Sequence, residues 1–362
     1  MTESTHHPRP TTHVLAAASF ALLASGCSNL GYYWQSVNGQ LDVWRRERPV
    51  GEVIADPAAA QALKDRLAGA IAIRDFASRE LGLPENGSYR RYADLERPFV
   101  VWNVFAAPEF LVQPLRWCFL FVGCVSYRGY FSREEAERFA ADLANGGDDV
   151  YVGGVPAYST LGWFSDPLLN TFIHYPETEL ARLIFHELAH QLLYARDDTV
   201  FNESFAVTVE REGVRRWLAR AGDPAKLQAF ERASRIRAEF GALVMKYRGR
   251  LDVLYRTRLA PDAMRERKRA VLADLDAEYR ALRSGWGGFA GYDAWFASRP
   301  NNAQLVSVAV YTQRVAAFEA LLRQEGGDLG RFYAAARELA GLSKEERDRR
   351  LTALAAPAAG NL

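Results

Sequence analysis

The stretch Leu180-Ala181-Arg182-Leu183-Ile184-Phe185-His186-Glu187-Leu188-Ala189-His190-Gln191-Leu192-Leu193 decides how this chain is read. Its apolar residues fall on most sides of a helix, the pattern of a helix buried in a core. Within it stands an HExxH sequence, His186 to His190. Residues four apart on a helix lie one above the other, so both imidazoles can reach a single Zn2+. Glu187, about 100 degrees around the cylinder, is placed to take a proton from water at that site. Burying three ionisable side chains in such a helix is costly unless they pair or ligate a metal, so zinc is the expected cofactor.

Histidine arithmetic narrows the third ligand. Of six histidines, His6, His7 and His13 precede an export signal, leaving His174, His186 and His190. Glu203, at the start of the next expected helix, is the expected third ligand. His174, on an expected strand over Thr171 to Tyr175, is the alternative for a three-histidine site, and Asp198 and Glu210 are others. Glu210 lies two turns beyond Glu203 on the same helix face, where it can instead orient a ligand histidine.

Asn202-Glu203-Ser204-Phe205-Ala206 resembles the Asn-Glu-x-x-Ala of gluzincin metallopeptidases, in which a second helix supplies a zinc-binding glutamate. The connecting segment, 191–202, is shorter than in the best-known members and must form a tight loop. More narrowly, the chain resembles a bacterial family of predicted lipoprotein aminopeptidases. The resembling blocks include Ser88-Tyr89-Arg90-Arg91-Tyr92, Trp102-Asn103-Val104, residues 123–131, residues 157–164, residues 186–191 and Asn301-Asn302-Ala303. The resemblance implies a zinc-dependent aminopeptidase acting on peptides. Glu187 would be the general base, with Tyr158 or Tyr311 as donor to the developing oxyanion, and the strand Thr171 to Tyr175 would pair with substrate backbone. Asp166, Glu177 and Glu179 are candidates for holding the substrate α-amino group. A zinc endopeptidase is an alternative, as is a non-catalytic zinc-binding lipoprotein. A structural site of the latter kind usually needs four protein ligands, and the scarcity of His and Cys makes the fourth hard to supply.

Val14 to Ser25 is small and apolar, too short to span a bilayer and suited to a signal peptide. Leu23-Ala24-Ser25-Gly26-Cys27 resembles a lipobox, which makes Cys27 the expected lipidation site; Ser28 resembles the outer-membrane sorting pattern. The expected location is the periplasm, tethered to the outer membrane. Export makes a disulfide between Cys118 and Cys124 the expectation, against two buried thiols or metal ligation.

Forty-five basic and 44 acidic residues balance, which leaves no electrostatic footprint for nucleic acid. Helices are expected over Tyr32 to Trp44 and over Pro57 to Leu83, the latter capped by Asp56. Strands are expected over Phe99 to Val104, Trp117 to Val125 and Val150 to Val152, and a helix opened by a capping box at Ser132. Beyond Glu203 the pattern is helical: a charged hairpin from Pro224 to Arg283, then helices over Asn301 to Arg323 and Leu329 to Ala340. The expected fold is α+β and predominantly α-helical, a zincin-like core with a small mixed sheet before the HExxH helix. The expected parts are a signal peptide (1–26), a helical segment (27–97), the core (98–220) and a large C-terminal helical region packed on it (221–362).

Overall fold

In chain order the elements of the computed structural model are α1 (31–46), β1 (Arg48–Pro49), α2 (Val50–Ala55), α3 (Gln61–Leu81), β2 (Arg91–Ala93), β3 (Val101–Pro108), β4 (Trp117–Phe119), β5 (Gly123–Val125), β6 (Arg128–Tyr130), α4 (Arg133–Asn145), β7 (Asp148–Val155) and β8 (Leu168–Leu169). Nine helices follow among the described residues: α5 (Glu177–Leu192), α6 (Thr199–Ala221), α7 (Pro224–Tyr255), α8 (Pro261–Gly285), the short α9 (Asp293–Ala297), α10 (Asn302–Thr312), α11 (Val315–Gln324), α12 (Leu329–Ala340) and α13 (Lys344–Ala355). The structure describes residues 31–119 and 123–355. The signal segment and Cys27 lie outside the described residues, as does the end of the chain after Ala355. Two units divide at Arg45. The described part of the first is α1, in which the Ser36 hydroxyl donates to the Tyr32 carbonyl at 2.9 Å. Everything below concerns the second.

The fold is mostly helical with small sheets. β3 is the centre of an antiparallel sheet ordered β6-β3-β7 and is buried along nearly its whole length. Its apolar sequence suits that double burial: Ala107 meets Val306 and Val310 of α10, with Tyr311 packed at the edge of the cluster. A second sheet, β1-β2-β8, pairs β2 with β8 in parallel. Trp117 to Val125 is a hairpin rather than one strand, because β4 pairs back on β5 and the Cys118–Cys124 disulfide joins directly opposed residues. The Ser132 hydroxyl accepts from the Glu135 amide, the expected cap of α4.

Two other expectations fail for local reasons. Asp56 does not open a helix at Pro57; its carboxylate accepts the Ala58 amide at 2.9 Å and makes a turn, and α3 starts at Gln61. Thr171 to Tyr175 forms no strand. The Phe172 and Ile173 amides bond to the Leu169 carbonyl and the Tyr175 amide to that of Phe172, so the segment coils into successive turns and cannot pair with a substrate backbone. The helix expected over 301–323 breaks between Thr312 and Val315, where the Arg314 amide donates to Ser204 Oγ of α6.

α5 and α6 are packed closely. At Gly213 an added Cβ would lie 2.7 Å from Phe185 of α5 and 2.8 Å from Leu81 of α3, so only glycine permits this approach. About two turns earlier on α6, Phe205 is fully buried and stacks on Phe332 with ring centroids 5.7 Å apart, with Phe318 and Tyr333 against its edges. Phe205→Ala, which empties this cluster, should cost about 3–5 kcal/mol of stability, measured by urea unfolding of the purified protein.

Candidate metal centre

His186 and His190 stand one turn apart on the face of α5 that meets α6, and Glu203 reaches them from the first turns of α6. His186 Nε2 is 3.2 Å from His190 Nε2 and 3.2 Å from Glu203 Oε2; His190 Nε2 is 3.6 Å from the same oxygen. Metal–ligand bonds of about 2.1 Å in a tetrahedron put ligand atoms about 3.4 Å apart, so these three converge as ligands of one ion should. Two imidazoles and one carboxylate are also the donor set of catalytic zinc sites, which keep a position open for water. Among the described residues this is the group of His, Cys, Asp and Glu side chains gathered closely enough to hold a metal.

The short loop before Glu203 is closed by its neighbour. Asn202 is buried and bonds both ways to Ala195, its Oδ1 accepting the amide at 2.7 Å and its Nδ2 donating to the carbonyl at 2.8 Å. Asp197 takes a left-handed backbone, φ 67°, within this loop, and its carboxylate accepts the Cys124 amide of the disulfide hairpin at 2.6 Å. Asp198 does not join the ligands. It caps α6 through the Phe201 amide and forms a buried ion pair with Arg347 of α13 at 2.7 Å. His174 is exposed and outside the ligand group.

Glu210 accepts from His186 Nδ1 at 2.9 Å. That bond leaves the Nε2 lone pair facing Glu203 and His190. Arg182, one turn before His186, donates to both oxygens of Glu210 at 3.1 and 3.2 Å and to Glu179 at 2.8 Å, and Arg237 of α7 donates to Glu179 at 3.2 Å. Burial raises the carboxyls of Glu203 and Glu210, but their cationic neighbours outweigh it: His190 and His186 hold Glu203 low, and Arg182 followed by His186 holds Glu210 low. Burial lowers His186, and the two carboxylates overcome it and raise the imidazole. Glu187 differs, because burial is the dominant influence and raises its pKa.

Tyr311 lies beside the centre, its ring centroid 6.4 Å from that of His186. Burial raises its hydroxyl well above the ordinary tyrosine range, with the Glu203 charge adding to the effect. Tyr158 packs edge-on against Phe131. Tyr194 was not foreseen; burial and then the Glu203 charge raise its hydroxyl to about 12. Arg182 was also missed, although its spacing of four before His186 in an apolar helix was the available signal.

The three carboxylates considered for the substrate amine are engaged elsewhere. Glu177 accepts from Trp217 and Lys226, and Glu179 from the two arginines. Asp166 accepts the Thr160 amide at 3.1 Å and Gln191 Nε2 at 2.8 Å, fastening the loop before α5 to the helix itself. Burial raises the Asp166 carboxyl to about 6 from 3.8. A carboxyl raised by folding favours the folded state below its unfolded pKa, and that advantage is lost as pH rises through the folded value. Between about pH 4 and 6 the wild type should therefore lose about 3 kcal/mol relative to Asp166→Asn, read from urea unfolding of both proteins across that range.

A family model described as "Putative aminopeptidase" matches residues 31–351. No curated protein and no solved structure matches the chain.

Proposed function

The chain belongs to this aminopeptidase family, and from that premise we propose that it is a zinc-dependent aminopeptidase built on a zincin-like pairing of α5 and α6. The observation that carries the reading is the charge at the helix pair. Four carboxylates, Glu179, Glu187, Glu203 and Glu210, stand at this helix pair against two guanidiniums, Arg182 and Arg237. With neutral imidazoles, two negative charges are left in excess, the complement of a divalent cation. His186, His190 and Glu203 would hold it.

A zinc ion there supplies a Lewis acid that lowers the pKa of water and polarises the scissile carbonyl. The protein's own residues do the rest. A Glu187 carboxylate oxygen takes the proton of the attacking water and later delivers it to the leaving amine. The raised pKa of Glu187 suits a base that must hold that proton between the two steps. The Tyr311 hydroxyl, kept protonated by burial, donates to the carbonyl oxygen as it gains negative charge. Glu210 fixes the ring of His186, and Arg182 fixes Glu210. We place the mature protein in the periplasm, anchored by lipid at Cys27; the Cys118–Cys124 disulfide favours an oxidising compartment.

Glu187→Gln should reduce kcat about 10^2–10^4-fold while zinc content stays at the wild-type level, measured with aminoacyl-coumarin substrates and metal analysis on one sample. Undiminished turnover would refute the assigned base. N-acetylated versions of the same substrates should resist cleavage, and their hydrolysis at comparable rates would mark an endopeptidase.

A further inference from the structure

Tyr89 stands out among the residues the mechanism has not used. Its backbone is left-handed, φ 64°, a conformation costly for a bulky residue and concentrated at functional sites. Its side chain is 1% exposed, and its buried hydroxyl has no hydrogen-bond partner among the described residues. A phenol is normally buried with its hydroxyl bonded.

The fold commits expensive groups to holding this turn. Arg74 of α3, fully buried, donates to the carbonyls of Pro84, Asn86 and Ser88 at 2.7, 3.2 and 2.9 Å. The Tyr89 amide donates to the Asp166 carbonyl at 2.6 Å. At Gly87 an added Cβ would lie 2.5 Å from Ser165 Oγ, so the turn is pressed against the loop before α5.

The same turn grips α5. Asn86 Nδ2 donates to Gln191 Oε1 at 2.7 Å, and Gln191 Nε2 donates to Ser88 Oγ at 3.1 Å. Gln191 is four residues beyond Glu187, hence on the same face of the helix. The turn that carries Tyr89 is therefore seated on the Glu187 face. Among the charges acting on the Tyr89 hydroxyl, that of Glu187 is the largest, ahead of Asp166 and Arg74.

We propose that Tyr89 is a positioning residue for Glu187, its hydroxyl donating a hydrogen bond to the carboxylate when the site is loaded. Hydrogen bonds of catalytic groups often tighten only in the complex, and an unbonded hydroxyl in the turn seated on the Glu187 face of α5 is available for such a bond. Its burial keeps it out of reach of substrate, so it acts through Glu187. The inference rests on the assignment of Glu187 as general base.

Tyr89→Phe keeps the ring and removes the hydroxyl. It should lower kcat about tenfold with KM changed less than twofold, zinc content unchanged and Tm at or above wild type, since an unbonded buried hydroxyl is lost. A hydroxyl with a merely structural role would instead leave kcat at the wild-type value or lower Tm. A second readout needs no turnover: calorimetric affinity of the zinc-loaded protein for leucine hydroxamate, in a cycle with Glu187→Gln. Tyr89→Phe should weaken binding severalfold in the wild-type background and leave it unchanged in the Glu187→Gln background. Equal weakening in both backgrounds, or none in either, overturns the proposal. Absence of turnover in the wild type would count against the peptidase reading, while the hydroxamate cycle would still decide the role of Tyr89.

Discussion

Between α5 and α6 the chain buries more carboxylate than its own cations neutralise, and much of the surrounding packing can be understood as holding that charge in register. Glu203 and Glu210 approach His186 from opposite ring nitrogens. Both belong to α6; Arg182 of α5 offsets their charge, and an apolar contact so close that only glycine fits at position 213 keeps the two helices together. Removing one partner from such a buried array leaves an uncompensated charge, which is far costlier than never building it. A cation bound there would therefore contribute to the stability of the helix pair as well as to its chemistry.

The second support lies on the Glu187 side of α5. Gln191 is the hub: it receives a hydrogen bond from Asn86 and donates to Ser88 and Asp166. Two irregular segments, far apart in sequence, are thereby fixed to the helix that carries Glu187. Neither belongs to a sheet or a helix, so their backbone polar groups need other partners; the buried Arg74 serves three of those carbonyls. Loops held this firmly can present side chains with the precision otherwise given by regular structure.

The helix bearing His186 and His190 was legible because its period is local, and Glu203 followed from histidine scarcity and the next helix start. Glu210 was legible from its spacing two turns along. What the sequence did not disclose was loop closure. Asn202 looked like part of a motif, and its bonds to Ala195 come from a fold-back that periodicity does not report. Thr171 to Tyr175 has strand-like composition, but turn bonds to Leu169 claim its amides first. Pro57 read as a helix start, yet the Asp56 side chain captured the Ala58 amide and delayed α3 to Gln61. Tyr89 could not have been singled out at all, since its backbone strain and lone hydroxyl exist only in three dimensions.

The ion pair between Asp198 and Arg347 ties the loop between α5 and α6 to α13, across 149 positions of sequence. Asp198 is also the cap that starts α6. During synthesis His186, His190 and Glu203 emerge well before Arg347 does. The cap of α6 then gains its buried counter-charge only after the chain has been extended through α13, so a nascent chain carries His186, His190 and Glu203 before it carries the ion pair that buttresses the start of α6.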